Sequence, residues 1–285
     1  MRIETSLIEQ KGQEFCELPK ESSNKKSKKN RKRQKKPMPS VVQKLFETCK
    51  EVFATGGAGY IPSPSDIERL RLVLDSMKPG DVGLTQDMPY FRMIETKGSP
   101  PPVTYLHLYE CDKFSIGIFC LPASAVIPLH NHPGMTVFGK LLFGSMHIKA
   151  YDWVTDVPHI TRDNLNPTHC QPPGIRLAKV KVNSVFTAPC NTSILYPAAG
   201  GNMHCFTALT SCAVLDVLGP PYCDAEGRQC TYYQDFPYAS FSGDEESMPK
   251  EEERDGYSWL EEKKEKPENF FVFGAPYRGP KIVEN

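Results

Sequence analysis

Between Pro102 and Leu218 the chain breaks into short runs rich in Val, Ile, Phe, Tyr and Leu, each cut off by Gly, Pro or Asn. This pattern leaves it fewer ways to fold than any other feature. The runs are Thr104 to Tyr109, Phe114 to Leu121, Ala125 to His130, Thr136 to Phe143, Ser145 to Asp152, Leu177 to Phe186, Thr192 to Tyr196, Met203 to Ala208 and Cys212 to Leu218. Strands of this length at regular spacing predict an antiparallel sandwich or barrel. A polar segment from Val157 to Pro173, with four prolines, reads as the long connection between two strand groups.

Two helices are expected ahead of the strands. Val42, Leu45, Phe46, Cys49 and Phe53 recur at helical spacing, and the Gly-rich TGGAG ends that helix. Ser65 with Glu68 three residues on reads as a capping box, with Ile67, Leu70, Leu74 and Met77 as the apolar stripe behind it and a stop before Pro79-Gly80. Residues 1 to about 38 are too polar to offset their chain entropy by burial and are expected to be disordered. The expected organisation is therefore a basic tail over 1–38 and one folded domain over 39–285. That domain divides into helices at about 41–78, a barrel at about 102–240 and an acidic, solvated segment at about 244–265.

The formal net charge of zero hides an asymmetry. KKSKKNRKRQKK, from Lys25 to Lys36, holds nine of the basic residues, and with those set aside 25 basic residues face 34 acidic ones, a net of −9. The run lacks interleaved aromatics, so it reads as a nuclear-import signal and not as a direct nucleic-acid contact. Nucleus and cytoplasm are the expected compartments. No stretch approaches the roughly 18 apolar residues that cross a bilayer, and MRIETSLIEQKGQEF has charges where a secretory signal has an apolar run. No membrane association is expected, and the chain is read as a monomer. Ten cysteines with no CxxC pair favour reduced thiols over a disulfide scaffold and exclude a zinc ribbon.

Three of the seven histidines carry the chemistry. His130 and His132 flank Asn131, and at two-residue spacing on extended chain both imidazoles project from one face. His204 sits on a later strand that a closed barrel could bring beside them. Alone, an HxH pair fits a surface loop or a satisfied core pair equally well. The surrounding punctuation favours a metal site: Pro133-Gly134 directly after the pair, Gly139 and Gly144 downstream, and Pro197, Gly200 and Gly201 before His204. This is the layout of the two cupin motifs, which implies a cupin jelly-roll, the double-stranded β-helix, within an all-β fold. It departs from the commoner pattern in two ways. The usual carboxylate ligand is replaced by Thr136 or Val137, and the usual Pro-x-Gly by Pro197-Ala-Ala-Gly200. Three neutral imidazoles suit Fe, Zn, Cu or Ni, so the ligand type leaves the metal open.

The strings PLHNHPGMTVFGKLLFGSMHIKAYDW, PAAGGNMHCF and LDVLGPPYCDAEGRQCTYY resemble the plant cysteine oxidases, relatives of animal 2-aminoethanethiol dioxygenase, and the likeness runs from about Val41 to the C-terminus. The resemblance implies an Fe(II) thiol dioxygenase with His130, His132 and His204 as iron ligands and O2 as co-substrate. It implies oxidation of the N-terminal cysteine of target proteins, such as group VII ethylene-response transcription factors, to cysteine sulfinic acid. It also implies an oxygen-sensing role in the N-degron pathway and the hypoxia response. Alternatives are a small-thiol dioxygenase acting on cysteine or cysteamine, and a metal-binding cupin without catalysis.

Asp216 interrupts the apolar run CAVLDVL, and alternation groups it with Val214 and Leu218, so a buried, partnered carboxylate is expected there. The resemblance gives it a role in orienting a ligand or the substrate amine, and gives Tyr222 a place near the iron, where it would hydrogen-bond oxygen or substrate. Cys205 should point away from His204 and be structural. His107, His147, His159 and His169 are expected not to be ligands, with the last two near the site entrance.

Overall fold

The computed structural model describes residues 38–92, 98–154, 174–240 and 256–284. The basic run, the Val157 to Pro173 connection with His159 and His169, and the first part of the acidic segment lie outside the described residues.

Helix α1 spans Val41–Val52, and its N-terminus is capped by Ser40, whose hydroxyl accepts the Gln43 N–H. Val42, Leu45, Phe46, Cys49 and Phe53 are all buried, as their spacing predicts. Helix α2 runs Pro64–Ser76, and its cap is Ser63, not Ser65. Pro64 explains the shift: with no N–H to satisfy and φ already helical, it serves as the first helical residue and moves the start back by two. Leu70, Val73 and Leu74 form the buried face.

Among the described residues, twelve strands follow. β1 (Val103–Glu110), β2 (Ser115–Leu121), β4 (Thr136–Phe143), β7 (Ser193–Leu195), β9 (Cys212–Gly219) and β12 (Val272–Ala275) form one sheet, in the order β12-β1-β2-β9-β4-β7. β3 (Val126–Asn131), β5 (Ser145–Trp153), β6 (Ile175–Thr187), β8 (Met203–Ala208), β10 (Tyr232–Pro237) and β11 (Tyr257–Lys263) form the other. Its order is β10-β11-β6-β5-β8-β3, and it closes where Tyr232 pairs with His130. The result is a cupin jelly-roll preceded by two helices, and the nine expected runs all fall on strands.

Besides the α2 cap, two features differ from the sequence expectation. Residues 257–263 are a strand inside the closed sheet, paired to β10 and β6, where a solvated acidic stretch was expected. Ser258, Trp259 and Leu260 are buried there, an apolar nucleus that the flanking Glu and Lys residues mask in any composition average. The pairing is also not wholly antiparallel, because β12 lies parallel to β1 at the sheet edge.

The helices cover the outer face of the first sheet. Phe46, Phe53, Leu70 and Leu74 pack with Phe114, Ile116, Ile118, Phe138, Leu215 and Val217 in one apolar cluster. Burial of each such large side chain stabilises the fold by roughly 1.5 to 3 kcal/mol. β9 is therefore buried on both faces, and its alternate residues Val214, Asp216 and Leu218 turn into the barrel. A partly buried ion pair fastens α2 to the sheet. Lys140 Nζ lies 3.2 Å from Asp75 Oδ1 and donates to the Cys190 carbonyl at 2.6 Å, while Asp75 accepts the Thr192 N–H and hydroxyl, each at 2.7 Å.

Candidate metal centre

β3 ends at Asn131, so His130 is its penultimate residue and His132 lies just past its end, before the turn at Pro133 and Gly134. On the neighbouring strand β8, His204 is the direct register partner of His130. Register alone thus places residues 74 positions apart side by side. The three rings form a near-equilateral triangle, with centroid separations of 5.0 Å for His130 and His132, 4.9 Å for His130 and His204, and 4.8 Å for His132 and His204. All three are buried, and one ligand nitrogen from each lies within 4.8 Å of the others.

Burial also fixes their protonation. It lowers His130 to about 4, against the opposing hydrogen bond to the Pro128 carbonyl, and drives His132 and His204 well below the usual histidine range, where repulsion from the neighbouring rings adds to the effect. Neutral imidazoles keep a lone pair for a metal. The hydrogen bonds select which nitrogen holds it. His130 Nδ1 lies 2.7 Å from the Pro128 carbonyl, which can only accept, so Nδ1 carries the proton and Nε2 is left free. The Tyr222 hydroxyl donates to the Asn131 carbonyl at 2.7 Å and must therefore accept from His132 Nδ1 at 3.1 Å, again freeing Nε2. Nε2 of His132 and Nε2 of His204 stand 3.1 Å apart. Two nitrogens each about 2.1 Å from one ion, at a right angle, stand about 3.0 Å apart. The donor set therefore fits a single transition-metal ion with open positions left over.

Neighbouring groups hold the triangle in place. The His204 ring stacks on Phe206 at 4.4 Å. Asn202 accepts the His132 N–H at 3.2 Å and donates to the His132 carbonyl at 2.8 Å. Thr136, one of the two positions where a carboxylate ligand would usually stand, donates its hydroxyl to the Tyr60 carbonyl at 2.7 Å and faces the helix connection.

His204 and Asp216 open into one small cavity of about 60 Å³, lined also by Val137, Gly139, Ser193 and Phe206. Asp216 lies on β9 directly between Gly117 of β2 and Gly139 of β4. Burial raises its carboxyl to about 7. A side chain added at Gly139 would meet Ser193 Oγ at 3.1 Å and Asp216 Oδ1 at 3.2 Å. The cavity is thus apolar apart from a carboxyl, a hydroxyl and an imidazole. A larger cleft of about 420 Å³, between Asp224, Tyr232 and Lys263 to Lys266, contains none of the three histidines.

The Tyr222 hydroxyl lies beside the triangle, bonded to the Asn131 carbonyl and to His132 Nδ1 and close to Cys230, so it helps to orient His132. Burial raises its hydroxyl well above the usual tyrosine range and keeps it a donor. Cys205 is half-buried next to His204, with burial raising its thiol. His107 is exposed, and His147 bonds Asn183 at 2.9 Å, so neither joins the triangle. Sequence reasoning missed Asn202, whose only signal was its place two residues before His204.

The sequence profile of the PCO_ADO family matches residues 73–282. Plant cysteine oxidase 1 of Arabidopsis thaliana is 60% identical over 86% of this chain and 81% of its own length, and plant cysteine oxidase 2 is 59% identical over 94% and 92%. Human 2-aminoethanethiol dioxygenase is 30% identical over 77% of this chain and 82% of its own. Among solved structures, an RmlC-like cupin protein from Desulfovibrio desulfuricans aligns over 42% of this chain and 84% of its own, at 16% identity and a TM-score of 0.27.

Proposed function

The chain belongs to the PCO_ADO family of thiol dioxygenases, and from that premise we propose that it uses Fe(II) and O2 to oxidise the N-terminal cysteine of target proteins to cysteine sulfinic acid. One observation carries the reading: three metal-competent imidazoles converge within 4.8 Å, and one of them, His204, shares a small cavity with a buried carboxyl, Asp216. Fe(II) held by His130, His132 and His204 supplies Lewis acidity toward a thiol and the redox capacity to activate O2. The overall change balances without another reductant, since one thiol and one O2 give one sulfinic acid and sulfur surrenders four electrons.

The protein's own residues account for selectivity toward an N-terminal cysteine. Burial raises the Asp216 carboxyl to about 7 and so favours its protonated form, but an ammonium beside it favours the carboxylate, so a free α-amine and Asp216 stabilise each other's charge. An acetylated amine offers no such charge. Val137, Ile148 and Phe206 line the same space and limit water around the reacting sulfur. By this reading Asp216→Asn retains iron and loses most turnover, whereas His204→Ala loses iron.

The test compares a Cys-initiated peptide, its N-acetylated form and free cysteine with iron-loaded protein in air, followed by mass spectrometry. Gain of two oxygen atoms on the first alone supports the proposal. Equal gain on the acetylated peptide would remove amine recognition, turnover of free cysteine alone would favour a small-thiol enzyme, and no gain would leave a metal-binding cupin. We further propose that the substrates include transcription factors such as the group VII ethylene-response factors. Their oxidation would mark them for the N-degron pathway in proportion to O2. The basic run from Lys25 to Lys36 is proposed to carry the protein to the nucleus. Removing residues 1–38 should then reduce nuclear accumulation and leave peptide oxidation intact.

A further inference from the structure

The turn leading into His204 is fastened by two side chains that no sequence motif singles out. Gly200 and Gly201 both take left-handed backbone, with φ of 82° and 85°. That conformation aims three consecutive amides at one carboxylate on β5. Asp152 Oδ2 accepts the Gly200 N–H at 3.0 Å, and Oδ1 accepts those of Gly201 at 2.8 Å and Asn202 at 3.2 Å. Gly201 cannot be replaced without rearrangement, since a Cβ there would lie 2.7 Å from that of Ala150.

Asn202 then passes the constraint on. Its amide nitrogen donates to the carbonyls of His132 and Tyr196, each at 2.8 Å, and its oxygen accepts the His132 N–H at 3.2 Å. Both backbone groups of one candidate ligand are thus held by a residue two positions before another. We propose that Asp152 and Asn202 are positioning residues of the metal centre, setting the spacing between His132 and His204. The inference rests on the reading of His130, His132 and His204 as metal ligands. Asp152 fixes the turn, Asn202 ties the turn to β3, and the 3.1 Å approach of the two Nε2 atoms follows from both. Outer hydrogen bonds of this kind typically hold about 10- to 100-fold in metal affinity.

Two nearly isosteric variants test it. Asp152→Asn replaces an acceptor oxygen with a donor facing the amides, and Asn202→Asp replaces the donor to two carbonyls with an acceptor. Co(II) affinity is measured by chelator competition, alongside the visible absorption of bound cobalt and the melting temperature of the metal-free protein. The expected result is an affinity loss of about 10- to 100-fold with a changed cobalt spectrum in each variant. A lower melting temperature with parental affinity and spectrum would reduce both residues to structural roles and overturn the proposal. If the parent and His204→Ala bind cobalt alike, the reading of the site itself fails, a distinguishable outcome. Should either variant not fold, hydrogen exchange on the wild-type chain decides. Saturating Zn(II) should slow exchange at Gly200, Gly201 and Asn202, and unchanged exchange there would overturn the coupling.

Discussion

The Tyr222 hydroxyl lies 3.1 Å from His132 Nδ1 and 2.7 Å from the carbonyl oxygen of Asn131, the last residue of β3, which separates His130 from His132. The carbonyl can only accept, so the hydroxyl is spent as donor there and receives the His132 proton. One phenol therefore sets the tautomer of a candidate ligand and ties it to its own strand.

Tyr222→Phe keeps the ring and strands two buried polar groups. Metal affinity in chelator competition should fall about tenfold or more, and stability in denaturant titration should fall by about 1 to 3 kcal/mol. Parental affinity in a folded variant would leave Tyr222 with a packing role only.

Asp216 gives a pH dependence of definite sign in the metal-free protein. Its carboxyl, raised by burial to about 7, keeps a proton in the folded chain that the unfolded chain, near 3.8, has lost. Its contribution to stability is thus fully present below about 3.8, declines as pH rises toward 7 and is level above. The buried histidines act oppositely: His130, lowered to about 4 from 6.5, adds stability as pH rises between those values. Comparing Asp216→Asn with the parent cancels the histidines. The variant should gain on the parent between pH 4.5 and 8 by about 3 kcal/mol, read from urea unfolding at each pH. A pH-independent difference would show that the carboxyl is ionised in the metal-free cavity.

The histidine triangle was legible because its spacing is local: HxH on extended chain puts two imidazoles on one face, and a Gly turn announces the third. The barrel was legible from the punctuated apolar runs, and Asp216 from its parity with Val214 and Leu218. What escaped depends on pairings that no local pattern records. Asn202 acts on His132 across 70 residues, and Asp152 acts on Gly200 across 48. β11 escaped because Trp259 and Leu260 are embedded among charges, and their burial follows from insertion between β10 and β6. For Tyr222 no local pattern names the partners of its hydroxyl, which are set by the strand end at Asn131.

Asp75 and Lys140 should show how separable the helices are from the chemistry. Lys140 is almost fully buried, and Asp75 is the carboxylate that faces it. Asp75→Ala leaves that ammonium without its counter-charge and the Thr192 N–H unpaired, so a loss of about 3 kcal/mol is expected. Lys140→Met should cost less, since Asp75 keeps Arg71 and Thr192. Thermal unfolding measures both, and Co(II) affinity should stay at the parental value. A large loss of affinity would mean that the α2 contact is transmitted to the metal centre.

Gly139 tests whether substrate occupies the space beside Asp216. Its two hydrogens leave open the gap bounded by Ser193 Oγ and Asp216 Oδ1, the position proposed for a peptide's α-amine. Gly139→Ala puts a methyl group there. The backbone imposes no left-handed strain at this position and the metal ligands are untouched, so folding and Co(II) affinity should be close to parental. Turnover of a Cys-initiated peptide should fall about 10- to 100-fold, chiefly through a raised KM, because the loss is of substrate seating and not of the metal. Parental KM for the peptide would place the amine elsewhere in the cavity and detach Asp216 from its recognition.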